Sequence, residues 1–122
     1  MKLHLFFLTF FVCSSVFAVN WQKVDKLDGK SFYVDIASIK KQNGFVYYSE
    51  LIDFEEAIYG ALSRISEFKA NCATMERANI SITSYTGQMG KFFVINEAKN
   101  NGTRFIKDSQ SSTLKFTCAR MM

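Results

Sequence analysis

Two thiols and one small group of carboxylates are the side chains here with chemistry to offer. The sequence holds three cysteines, Cys13, Cys72 and Cys118, and a single histidine, His4. Cys13 and His4 lie in an N-terminal stretch with the pattern of an export signal. A processed chain therefore keeps Cys72 and Cys118 and no histidine. Two cysteines left in an exported protein point to one disulfide. The loop it closes would hold about 47 residues, worth roughly 4 kcal/mol in the chain-entropy treatment. A reactive or metal-binding thiol pair is the competing use. It lacks the histidine partners and the Cys-x-x-Cys spacing that such sites employ, so no metal and no cofactor is expected.

Loss of the histidine also removes the usual general base, and with it any Ser–His or Cys–His nucleophile pair. What remains is acidic. Asp53, Glu55 and Glu56 form the one dense cluster, with Glu50 just upstream. Two carboxylates facing across a cleft can divide acid and base roles. A small carboxylate hydrolase would thus require Glu50, Asp53 or Glu55 to converge. No Gly-rich calcium loop flanks the cluster, and a solvated loop after a strand is its plainer reading. No catalytic residue is assigned.

The export signal has a basic start at Lys2, an apolar run from Leu5 to Cys13, and Val16-Phe17-Ala18 at the position a signal peptidase reads. A membrane-spanning helix wants about 20 mostly apolar residues. The run here is shorter and is interrupted by His4, Thr9, Ser14 and Ser15. Residues 1–18 are expected to be removed, and 19–122 to form a single domain with no remaining span. Lipid attachment at Cys13 is disfavoured, because Phe11 and Val12 precede it where small residues are needed. Removing 18 of the 122 residues leaves 104, with 14 Lys and Arg against 11 Asp and Glu, a formal charge of +3. That mild charge suits weak attraction to anionic surfaces and gives no argument for nucleic acid.

Proline is absent, so glycine must announce the turns. Asp28-Gly29, Asn43-Gly44 and Asn101-Gly102 accept the positive φ of two-residue hairpins. They separate residues 21–27 from 31–34, precede a strong strand at 45–54, and split 91–97 from 103–107. Asp35 is placed to cap a short turn at 36–40. Residues 61–72 alternate, with Leu62, Phe68, Ala70 and Cys72 on one side and Ser63, Glu67, Lys69 and Asn71 on the other. In 75–85, Ile80 and Ile82 share a face opposite Asn79, Ser81 and Thr83. Such alternation describes an antiparallel sheet with one wet face. The tail fits two patterns. Asp108 or Ser109 would cap a helix over 110–118 with Leu114 and Cys118 on one face, whereas Leu114, Phe116 and Cys118 also alternate as a strand does.

Binding features are sparse. Gly87 and Gly90 frame a Gly-x-x-Gly loop, which in one RNA-binding module clamps a phosphate backbone between helices. Here it separates strands and reads as a hairpin turn. Arg64, Lys69 and Arg77 lie on neighbouring strands near Cys72 and are the candidate surface for an acidic or sulfated partner. Ordinary surface solubilisation explains such residues equally well, and Arg64 and Lys69 differ in parity. Trp21, Tyr33, Phe45, Tyr47 and Tyr48 crowd the first strands as core or cross-strand pairs. The triplets at Asn79 and Asn101 match N-glycosylation acceptors, which matter only in a eukaryotic secretory pathway.

The order of short motifs resembles the bacterial surface-adhesin protein E family and its small exported relatives. The matching residues are Trp21, then Phe32-Tyr33-Val34-Asp35 with Ser38-Ile39-Lys40, then the strand 46–53. Next come Ser66-Glu67-Phe68-Lys69-Ala70-Asn71-Cys72 with Arg77, then Tyr85, Gly87 and Gly90, and finally Cys118. The match spans nearly the whole processed chain. It implies an α+β fold: a single antiparallel sheet of about six strands, with a C-terminal helix on one face tied by a Cys72–Cys118 disulfide. It also implies adhesion to host extracellular-matrix or serum proteins such as laminin and vitronectin, and a homodimer. The chain departs from its relatives in lacking proline, a second tryptophan and the lipid-attachment motif. The resulting expectation is a non-catalytic exported bacterial protein, periplasmic, secreted or associated with the cell surface, that binds another macromolecule. A periplasmic accessory role is the alternative.

Overall fold

Runs of β-branched and aromatic residues, parted by turns that take positive φ, build eight antiparallel strands and one terminal helix. The computed structural model describes residues 18–121. Cys13 and all but the last residue of the expected export segment lie outside the described residues. The elements are β1 Trp21–Leu27, β2 Lys30–Asp35, β3 Lys40–Gln42, β4 Phe45–Ile58, β5 Ala61–Asn71, β6 Glu76–Tyr85, β7 Val94–Lys99, β8 Phe105–Lys107 and α1 Ser112–Arg120. They form one sheet in the order β1-β2-β4-β5-β6-β7, with β3 beside β4 and β8 beside β6. The six-strand main order and the helix match the expected architecture. The two short strands extend it.

The turns explain the register. Asp28-Gly29 and Asn43-Gly44 place both residues at positive φ, the geometry whose twist suits a two-residue hairpin. Tyr59-Gly60 does the same between β4 and β5, at φ 48° and 79°. An aromatic residue there gave no sequence signal. As a result β4 runs on to Ile58, and Glu55 and Glu56 stand exposed within a strand rather than in a loop. Asp35 caps the turn after β2 as expected, its Oδ1 accepting from the N–H groups of Asn20 and Ala37.

Three sequence expectations are corrected. Residues on either side of Asn101-Gly102 do not pair with each other. β7 pairs with the far half of β6 and β8 with its first three residues, so the two lie end to end along one long strand and the Asn-Gly segment loops between them. Second, the alternation in β6 breaks. Asn79 pairs with Phe68 and Ser81 with Glu67, leaving Ile80 as a bulge. A bulge shifts side-chain parity, so Asn79 shares its face with Ile82 and Ile80 does not. Third, the helix is capped by Ser111, whose Oγ accepts from the Leu114 N–H; Asp108 is used elsewhere.

α1 covers the core on one face. Thr113 and Thr117, and Leu114 and Cys118, point inward as two i, i+4 pairs and are buried. They pack on Val34, Val46, Tyr48 and Ala70. Cys118 is bonded to Cys72, with Cα atoms 5.5 Å apart. The tail is therefore helix, since a strand would turn Thr113 and Thr117 away from the face that Leu114 and Cys118 bury, whereas a helix buries all four. On the opposite face Leu51 and Ser63 are fully buried, beneath the turn Gln88–Gly90. Ser63 donates to the Gly87 carbonyl at 2.6 Å and accepts from the Gly90 N–H at 2.9 Å. The Gly-x-x-Gly segment is thus the β6–β7 connection. A Cβ on Gly90 would lie 2.6 Å from Ile65 Cδ1, which explains the glycine.

Candidate functional site

Arg77, from β6, reaches under the start of α1. Its Nη1 donates to Glu50 Oε2 at 2.9 Å and to Tyr48 Oη at 2.8 Å, and its Nη2 donates to Asp108 Oδ2 at 2.9 Å. The Thr113 hydroxyl donates to the same Glu50 oxygen. Glu50 and Arg77 side chains are only 5% and 15% exposed, so little solvent screens the pair. Burial pulls the Arg77 pKa down, and the Tyr48 oxygen and Glu50 carboxylate outweigh it, so the pKa is raised above the ordinary guanidinium value. Burial pushes the Tyr48 hydroxyl above its ordinary value, with Glu50 adding to the rise and Arg77 opposing it. The Arg77 guanidinium lies 3.9 Å from the Phe68 ring centroid. Both terminal nitrogens of this arginine are occupied in joining β4, β6 and the helix start.

The other two basic candidates are placed differently. Lys69 lies on the opposite face, its Nζ 4.2 Å from the Phe45 ring centroid and 5.9 Å from that of Phe105. Arg64 shares Arg77's face and sits 5.9 Å from the Phe54 ring centroid, with its Nε buried and unpartnered among the described residues. The structure brings Arg64 and Arg77 to one face and does not bring Lys69 with them.

The carboxylates do not converge. Glu50 is consumed by Arg77 and Thr113. Asp53, on the other face, accepts from the Met89 N–H at 2.7 Å. Glu55 pairs with Lys26 at 3.1 Å in an exposed bridge. Among the described residues no group of three or more Cys, His, Asp or Glu is arranged to hold a metal.

One surface feature went unnoticed in the sequence. Phe92, Phe93, Val94 and Ile95 are 81%, 77%, 54% and 45% exposed and lead into β7, whose outer edge carries no strand. The sequence reads 91–97 as one strand of a hairpin with 103–107. β7 instead closes the sheet, and nothing in the described chain packs over it.

A sheet of this order with a disulfide-tied terminal helix has relatives. The family model described as "Surface-adhesin protein E" matches residues 21–119. The chain belongs to the surface-adhesin protein E family. Solved structures agree in fold. Crystal form II of Haemophilus influenzae protein E superposes with a TM-score of 0.57 at 17% identity, covering 84% of this chain and 97% of that one. The selenomethionine form of the same protein gives 0.54 at 16% identity, covering 85% and 91%. Protein E from non-typeable Haemophilus influenzae gives 0.52 at 17%, covering 82% of each chain. No curated protein matches. At such identities the family fold carries over and the contact residues do not. No described helix is long and apolar enough to cross a membrane.

Proposed function

We propose that this member of the surface-adhesin protein E family is an exported, non-catalytic protein that binds another macromolecule through the open end of its sheet. Residues 1–18 would direct export, and 19–122 would form the working domain. The observation that carries this reading is the exposed Phe92–Ile95 run at the free edge of β7. Apolar side chains on an unpaired strand edge are costly in water and prone to pairing, so a surviving patch of this kind marks a surface that meets a partner. Host matrix or serum protein is the partner class the family supports, and a second copy of the chain would fit the same edge.

Immobilised full-length exported protein should capture laminin or vitronectin, and Phe92→Ser with Phe93→Ser should reduce capture at least about tenfold while the thermal midpoint stays within a few degrees. Equal capture by the variant would move the contact elsewhere, and no capture of any matrix or serum protein would remove host adhesion. The lack of small residues before Cys13 favours a second reading, a periplasmic accessory protein without a surface anchor. Release by osmotic shock, with resistance to protease added to whole cells, would select it.

A further inference from the structure

Arg64 stands in a register row that crosses the sheet, with Ile52 on β4, Ser84 on β6 and Asn96 on β7. This row is on the helix face, toward the end of β5 opposite Ala70, where α1 packs. A cleft of about 310 Å³ opens there between the Tyr59-Gly60 turn and β7. Phe54, Ile58, Ile82, Ile95 and Ala98 line it with apolar surface, and Arg64 is its one charge. Ser84 and Asn96 are neutral. None of the ion pairs among the described residues includes Arg64, and its buried Nε has no partner there. A buried donor without a partner is costly, and an arginine fork is shaped to hold a carboxylate by two parallel hydrogen bonds.

We infer that this cleft binds an aliphatic carboxylate, with the carboxylate held end-on by the two terminal nitrogens of Arg64 and the alkyl chain laid along Phe54, Ile82, Ile95 and Ala98. The size sits at the lower end of small-molecule sites, about 300–1,000 Å³. The wall chemistry selects an alkyl chain over a peptide. A peptide backbone laid on this floor would strip its amides of water and find only Ser84 and Asn96 to replace it. An alkyl chain carries no such groups. The cleft shares Ile95 with the exposed run of the proposed macromolecular contact, but Phe92 and Phe93 lie outside it, so their substitution and that of Arg64 test the two sites separately.

The test is calorimetric titration of exported full-length protein, disulfide intact, with decanoate below its micelle concentration. Decanol and decyltrimethylammonium serve as neutral and cationic probes of the same chain length. Decanoate should bind in a one-to-one ratio. Arg64→Gln should weaken it at least about tenfold, Arg64→Lys should fall between, and Ala98→Trp, on the exposed edge strand, should abolish it by filling the cleft. Both arginine variants should keep the circular dichroism of the parent. Absence of decanoate binding overturns the proposal. So does equal affinity for decyltrimethylammonium, or an affinity that Arg64→Gln leaves unchanged, since either would reduce the effect to apolar adsorption.

Discussion

Arg77 and Arg64 point from adjacent strands of one sheet to the same face, and their surroundings are opposite. Arg77 is met by Glu50, Tyr48, Asp108 and Thr113. Arg64 meets an aromatic ring and apolar walls. The difference is what the rest of the chain returns to each. The segment from Asp108 to Thr113 is delivered to Arg77 by a helix whose far end is pinned, through Cys118, to Cys72 just past the end of β5. Among the described residues none returns an ion pair to Arg64. One end of the sheet is thereby closed by the tail, and the other is left open among the described residues.

Removing the closed end's charge should have the largest effect. Arg77→Met leaves Glu50 buried beside Thr113 without its cation, and breaking one partner of a buried pair costs about 3–5 kcal/mol. Urea unfolding should show that loss. Adding Glu50→Leu should restore most of it, because replacing both members by apolar groups is often neutral. If the double variant is as unstable as the single one, the network's neutral hydrogen bonds carry the stability instead.

The disulfide comes next. Cys72→Ser with Cys118→Ser frees a loop between residues 46 apart in sequence, and a native bridge of this type contributes typically about 2–4 kcal/mol. The loss should appear both in urea midpoints and as faster amide exchange at Thr113 and Thr117, since the helix is otherwise held by one face only. Unchanged exchange would show that Arg77–Asp108 alone fixes the helix start.

Much of the closed end was legible in the sequence and little of the open end was. Cys72 and Cys118 paired as expected, Asp-Gly and Asn-Gly turns set two hairpins, and alternation found β5. These are local signals whose physics lies within a few residues. The errors came where distant backbone decided. Ile80 became a bulge because β5 and β6 differ by one residue of register, a property of two strands together. The Asn101-Gly102 hairpin failed because β6 is long enough to take two short strands in line. Arg77 was visible as a basic residue, but its burial depended on Asp108 and Thr113, 31 and 36 residues away. The Tyr59-Gly60 turn had a signal, the glycine, that a tyrosine neighbour concealed.

A smaller effect separates the ends by pH. Burial raises the Tyr48 hydroxyl above its ordinary value near 10. The folded state therefore favours the neutral phenol. Its contribution is fully present below about pH 10 and is lost as pH rises through the unfolded value toward the folded one. Stability measured in urea should fall more steeply above pH 10 in the parent than in Tyr48→Phe. Parallel curves would mean that the lysines alone account for the alkaline slope.

The smallest stability effect is expected at Arg64, and it is the most discriminating. Arg64→Gln removes a guanidinium that makes no ion pair among the described residues and an Nε that has no partner. Its loss should change unfolding free energy by no more than about 0.5 kcal/mol, against several for Arg77→Met. Arg64 is half-buried and makes no ion pair among the described residues, so its charge gives the fold little. If Arg64→Gln costs as much as Arg77→Met, the two arginines are alike and the open end is part of the scaffold. If it costs nothing while decanoate affinity falls, the contrast between the two ends is functional.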